Sequence, residues 1–489
     1  MTSPASPKPA NLVIVLSDEH AAQYTGCHGH PIVRTPNIDR LAATGTRYAN
    51  AYTNSPICMP ARAAFATGRY PHQTGCWCNA SPYAGTPPTW GHRLQAAGRP
   101  VVSIGKLHYR DDEVDAGFDE QRIPMHAVAG IGDLQGAMRQ TAPLAPRRKS
   151  HVVADEIGAG ESSYTRYDRA IAREAVSWLE NEAPGLDEPW VLQIGFVAPH
   201  FPLIAPEEFF AMYPPESLPL PKACRPEDWP RHPWFDELRK AYITDTFFDD
   251  DKRRIATAAY FGLCSFVDHH LGLVRDAIER AGLGQSTRLV YLSDHGDNLG
   301  VRGLWQKSNF YEESAHIPLL MSGPGIAAGE VVRTPVSMID FFPTILDAVG
   351  VASDPADRDL PGQSLFRLAQ DDRERTVFGE YHAAGAVSGA YMLRRDKWKY
   401  VHYAGYPAQL FDLEADPEEL TDLASDAAHA TTLAGFEREL RAMLDPEATD
   451  ARAKADQAAI IERHGGVEAV LARGSFGATP PPGEKAALG

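Results

Sequence analysis

Short apolar runs alternate with longer amphipathic stretches through the first two thirds of this chain, and that alternation restricts the possible folds more than any other feature. Residues 12–16, 101–104, 190–197, 288–293 and 317–321 read as buried strands. Between them, residues 35–45 open on Thr-Pro and close on Gly, the marks of a helix. Residues 251–281 and 338–349 read as further helices. Strands and helices in alternation predict an α/β domain with a mainly parallel central sheet flanked by helices. In such sheets ligands bind beyond the carboxyl ends of the strands. Around residues 361–370 the pattern changes. Residues 375–381, 391–394 and 398–401 then read as short antiparallel strands, 406–413 as a loop running into a strand, and 430–444 as a helix. A tail rich in Ala, Gly and Pro follows, whose last fifteen residues are expected to be poorly ordered. The predicted division is a larger domain over 1–365 and a smaller α+β C-terminal domain over 366–489.

A chain of 489 residues has ample material for both cores. Its formal net charge of -17 disfavours nucleic acid and anionic membrane surfaces as partners. An anionic substrate would therefore need a locally positive site. Residues 1–10 lack a charged start followed by an apolar stretch, and no later run reaches transmembrane length. The six cysteines are too scattered for a disulfide framework. Cys76-Trp77-Cys78 lacks redox or zinc spacing and reads as loop packing. A cytoplasmic location with no membrane partner is the expectation.

The densest local signal is Cys58-Met59-Pro60-Ala61-Arg62. Pro60 suits the first turn of a helix, where its missing N–H costs nothing. Residue 58 then sits at a helix N-terminus, where backbone N–H groups favour an anion, and Arg62, four residues on, can fold back over the same face. Asp18 ends the first strand, and Asp294 and His295 end another; carboxylates at strand ends can converge on one hard divalent cation. Lys106 and His108 follow the strand at 101–104, and alternation puts them on one side if the strand continues. His200 follows the strand at 190–197, and Lys307 lies in Leu304-Trp305-Gln306-Lys307.

The Cys-x-Pro-x-Arg box resembles the signature of type I sulfatases, in which that cysteine is oxidised after translation to formylglycine, an aldehyde that hydrates to a geminal diol. With the strand-end carboxylates it resembles the metal site of the alkaline phosphatase superfamily, over most of residues 10–420. The resemblance implies an alkaline-phosphatase-like larger domain. It also implies one divalent cation, Ca²⁺ or Mn²⁺, held by Asp18, Glu19, Asp294, His295 and the modified residue 58. Glu19 stands where many sulfatases have Asp, and His295 where most have Asn; an imidazole ligand brings Mn²⁺ within range beside Ca²⁺. The diol would attack sulfur to form a covalent sulfo-enzyme, with His200 and Lys307 protonating the leaving oxygen. His108 would deprotonate the second hydroxyl, and Arg62 and Lys106 would hold the diol and offset the anion's charge.

Nearest in likeness are the choline sulfatase and phosphonate monoester hydrolase branches, which share the Asp-His pair. By the same resemblance Asn79 and Glu380 would contact substrate, Glu380 facing a quaternary ammonium; a plain reading of Glu380 is a strand-end carboxylate paired with a nearby Arg. The function implied is hydrolysis of a sulfate monoester: choline sulfate, another alkyl sulfate or an aryl sulfate. A phosphonate monoester or phosphodiester hydrolase with the same nucleophile is the alternative. The Lys106/His108 pair weighs against it, because the phosphonate branch typically has Tyr and Thr there. An unmodified metal-binding protein without catalysis is the second alternative. A formylglycine-generating enzyme and a second copy of the chain, in a homo-oligomer, complete the implied partners.

Overall fold

The computed structural model describes residues 7–139, 146, 147 and 149–486. Eight strands form the main sheet: β1 (Asn11–Asp18), β2 (Gly45–Tyr48), β3 (Val101–Lys106), β4 (Glu120–Met125), β5 (Val191–Pro199), β6 (Thr287–Ser293), β7 (Leu319–Ser322) and β8 (Glu330–Val332). Their order is β8-β2-β7-β6-β1-β5-β3-β4, and every pairing is parallel except the two made by β7. All five expected strands are present. The sheet gains β2, β4 and β8 at or near its edges, where short and partly polar segments such as Glu120–Met125 give little periodic signal.

Alternation along β1 explains the layers. Val13 and Val15 face one side, with α1 (Pro36–Thr44) and, further along the chain, the long helices over Ser163–Asn181 and Asp250–Arg280. Leu12, Ile14 and Leu16 face the other, with α2 (Cys58–Thr67) and the helix over Phe341–Val349. We number those three helices α3, α4 and α5. The sheet is thus buried on both faces, as a parallel sheet must be. The helix expected over 338–349 begins as a single tight turn at Met338–Asp340 before α5 proper.

A second sheet is an antiparallel meander of β9 (Val377–Tyr381), β10 (Ala390–Arg395), β11 (Trp398–Tyr403) and β12 (Tyr406–Asp412). One face packs on α6 (Ala430–Met443) through Phe436 and Leu440. The other joins a core shared with Trp234, Phe310 and Tyr311. The Ala-, Gly- and Pro-rich tail carries two further helices ahead of its last fifteen residues: α7 (Pro446–Arg463) and α8 (Gly466–Arg473) follow α6. Asp445 caps α7 by accepting from Ala448 N, with Pro446 in the first turn, a start signal present in the sequence. Of the last fifteen residues, Ser475 and Thr479 are buried, and 487–489 lie outside the described residues. Among the described residues no helix is long and apolar enough to cross a membrane.

Candidate active site

Strands β6, β1, β5 and β3 are neighbours and all run the same way, so their carboxyl ends present side chains along one edge. Asp18 is the last residue of β1, and Asp294 and His295 follow β6. His200 follows β5, and Lys106 ends β3. Four sequence-distant segments thereby converge, and α2 delivers Cys58 to them as its first helical residue.

Asp18, Glu19, Asp294 and His295 are fully buried, and Cys58 and Arg62 nearly so. Arg62 Nε donates to Asp294 Oδ2 at 2.8 Å, Nη2 reaches Asp18 Oδ2 at 3.4 Å, and Nη1 donates to the Lys106 carbonyl at 2.9 Å. Lys106 Nζ contacts the same Asp18 oxygen. His295 Nε2 lies 3.2 Å from Cys58 Sγ and 3.7 Å from Oδ1 of both Asp18 and Asp294. On the other flank Lys307 Nζ donates to Glu19 Oε2 at 2.7 Å and lies 2.8 Å from His200 Nε2. Asn79 Oδ1 accepts from Met59 N at 3.1 Å beside the start of α2.

Burial alone would raise the Asp18 carboxyl, yet Lys106, His200 and Arg62 together hold it well below its ordinary range. Burial prevails at Glu19, which is raised despite Lys307, and at the Cys58 thiol, pushed up to about 11 by burial and the Asp18 charge. His108 and His200 are held well below the usual imidazole value, His108 by burial with Lys106 and Arg62, His200 by burial with Lys307. Both are therefore neutral near pH 7, and His108 can act as a base. Burial pulls Lys307 down, but nearby Cys58 and Glu19 more than reverse it, so the shared proton of the Lys307–His200 pair rests on Lys307.

The donor set fits a hard divalent cation. Ligand atoms of Asp18, Cys58, Asp294 and His295 lie within 4.8 Å of one another, as do those of Asp18, Glu19 and His200. Glu19 Oε1 is buried with no hydrogen-bond partner, the condition of a carboxylate oxygen awaiting a cation.

A cavity opens over this cluster. Cys58, Asn79, Lys106, His108, His200 and Lys307 line it, as the motifs suggested. Further lining comes from Asp133, Arg147, Tyr164 and the segment 475–479, none of which carries a local motif. Glu380 lies outside it. Its carboxylate is fully buried, accepting from His72 N and facing His72 Nδ1 at 2.8 Å and His382 Nε2 at 2.9 Å, so its partners are histidines where an Arg was expected.

Residues 10–351 match the family described as Sulfatase, and residues 300–445 the one described as N-sulphoglucosamine sulphohydrolase, C-terminal. A choline-sulfatase of Rhizobium meliloti (strain 1021) is 32% identical over 461 residues, covering 92% of this chain and 89% of its own. An arylsulfatase K of Homo sapiens is 31% identical over 444 residues, covering 85% and 79%. A phosphonate monoester hydrolase of Agrobacterium radiobacter has a similar fold, with a TM-score of 0.72 at 22% identity over 91% of this chain and 96% of that one. A family match of that extent, over a strand-end cluster built around the cysteine box, leaves one assignment: the chain belongs to the sulfatase family and is a hydrolase of that type.

Proposed function

We propose that the protein hydrolyses a sulfate monoester with residue 58 acting as formylglycine hydrate. The observation that carries this is the contact of Cys58 with His295 and Asp18 at the head of α2, within a cluster that also holds Arg62, Lys106 and Lys307. Residue 58 in hydrated form supplies an attacking hydroxyl and a second hydroxyl through which sulfate can be expelled. A cation held by Asp18, Glu19, Asp294 and His295 would supply Lewis-acid polarisation. Arg62 and Lys106 offset negative charge there, and Lys307, through His200, stands ready to protonate the leaving oxygen. His108, neutral and on the cavity wall, is suited to take the proton of the second hydroxyl.

The lining favours an alcohol portion that is neutral or anionic. Among the described lining residues Asp133 is the one carboxylate, and Arg147 Nη2 already donates to it at 2.5 Å. With Glu380 outside the cavity, a quaternary ammonium finds no unpaired carboxylate among the described lining residues, which weighs against choline sulfate and toward other alkyl or aryl sulfates. Lys106 beside His108, where the phosphonate branch typically has Tyr and Thr, favours sulfate over phosphonate monoesters. Steady-state kinetics on choline sulfate, sulfates of uncharged alkyl alcohols, aryl sulfates and an aryl monoester of phenylphosphonic acid test the reading. A kcat/KM for phosphonate far above that for every sulfate would overturn the sulfate assignment, and choline sulfate as the best substrate would overturn the charge argument.

A further inference from the structure

The C-terminal segment after α8 returns to the catalytic cavity. Gly474 turns the chain, and Ser475, Phe476, Gly477, Ala478 and Thr479 line the cavity wall. The segment is anchored rather than draped: Tyr164 donates its hydroxyl to the Thr479 carbonyl at 2.6 Å, Ala478 packs against the main core, and Thr479 is buried. Thr479 Oγ1 then lies 2.9 Å from His108 Nε2, across 371 residues of sequence. The other imidazole nitrogen, His108 Nδ1, is buried and has no partner.

We propose that Thr479 is a positioning residue for the sulfatase reaction: its hydroxyl accepts from His108 Nε2–H, which leaves the lone pair on Nδ1 as the proton acceptor. The two nitrogens of a neutral imidazole cannot both be bases, and the partner of one decides the role of the other. A carboxylate commonly does this for a catalytic histidine. Here a threonine from the end of the chain does it without adding negative charge to a site that must hold an anion. The proton moves from the residue-58 hydroxyl to Nδ1. The electron pair it leaves forms the C=O as the C–O bond to sulfate breaks, and the imidazolium still donates through Nε2 to Thr479. The inference rests on His108 being the base of the reaction.

The test uses the full-length enzyme, with Thr479→Val as an isosteric change that removes the acceptor and Thr479→Ser as the conservative control. In Thr479→Val, kcat is expected to fall about tenfold, the worth of roughly one hydrogen bond, with KM within about twofold, while Thr479→Ser stays near wild type. Histidine-selective ¹⁵N NMR, assigned with His108→Gln, gives a readout independent of turnover: Nε2 protonated and Nδ1 bare in the wild type, and a mixed tautomer population in Thr479→Val. Unchanged kcat with an unchanged tautomer in Thr479→Val, or failure of Thr479→Ser to restore both, would overturn the proposal. His108→Gln kinetics separate the two ideas. Should that variant turn over normally, His108 is not the base; should it fail while Thr479→Val does not, only the role of Thr479 is lost.

Discussion

Several side chains at this site hold left-handed backbone that ordinarily favours glycine: Glu19 at φ 70°, His108 at φ 63°, and Gln306 and Ser308 flanking Lys307 at φ 60° and 88°. Each costs on the order of 1–3 kcal/mol and persists only where neighbours fix it. Tyr260 does so for Glu19 by donating to its carbonyl at 2.6 Å, and the Met125 carbonyl does so for His108 by accepting from its N–H at 2.8 Å. Residue 58 is expected to be an aldehyde in peptide mass spectra of active enzyme, and Cys58→Ala to abolish turnover while leaving the melting temperature within a few degrees. Full activity in protein carrying only thiol there would refute the nucleophile. Chelation should stop the reaction, and added Ca²⁺ or Mn²⁺ should restore it and raise the melting temperature with concentration. Asp294→Ala should erase that metal-dependent shift, read by calorimetry. Most of these residues were legible in the sequence because each follows an apolar strand or opens a helix. Thr479 and Tyr164 were not, since nothing local marks a residue whose partner is hundreds of positions away.

At the level of elements, the site depends on how closely β3 and β5 approach. Gly105 and Gly195 face each other in register, and a Cβ on Gly195 would sit 2.1 Å from the Lys106 carbonyl oxygen. That carbonyl accepts from Arg62 Nη1, so the close approach of two strands fixes the guanidinium that binds Asp18 and Asp294. Gly195→Ala is therefore expected to lower kcat/KM by about tenfold or more and to cost a few kcal/mol through strain, measured by kinetics beside urea unfolding. Wild-type kinetics in that variant would show that the contact has no bearing on the site. The strands carrying ligands were readable because buried parallel strands are continuous apolar runs. The edge strands were not, since β4 has two exposed positions, Glu120 and Ile123, and pairs on one side only.

Across the whole molecule, the second sheet and the helices beside it are joined to the segments around α2 by buried polar contacts as well as by apolar packing. Glu380 on β9 holds His72 and His382, and Arg139 Nη2 binds Asp450 of α7 at 2.7 Å. Burial raises the Glu380 carboxyl, but His382 and His72 more than offset it and hold it at about 2. The group is thus depressed on folding. Its stabilisation, about 3 kcal/mol, is present above its unfolded value near 4.5 and fades as pH falls toward 2. Glu380→Gln should lower stability at pH 7 by that order and flatten the acid limb of the unfolding profile, while KM changes little because the residue lies outside the cavity. A large rise in KM with unchanged stability would return Glu380 to the substrate. This cluster was illegible beforehand because His72 and Glu380 are 308 residues apart. The burial of all ten residues of α2, with Cys58 reached only through the cavity, carries a consequence for timing. No second protein can reach Cys58 once the chain has closed over it, so any enzyme that oxidises it must act during synthesis or before folding is complete. Biogenesis then has a deadline: protein folded with an unconverted thiol should resist conversion afterwards, whereas a nascent or denatured chain should accept it.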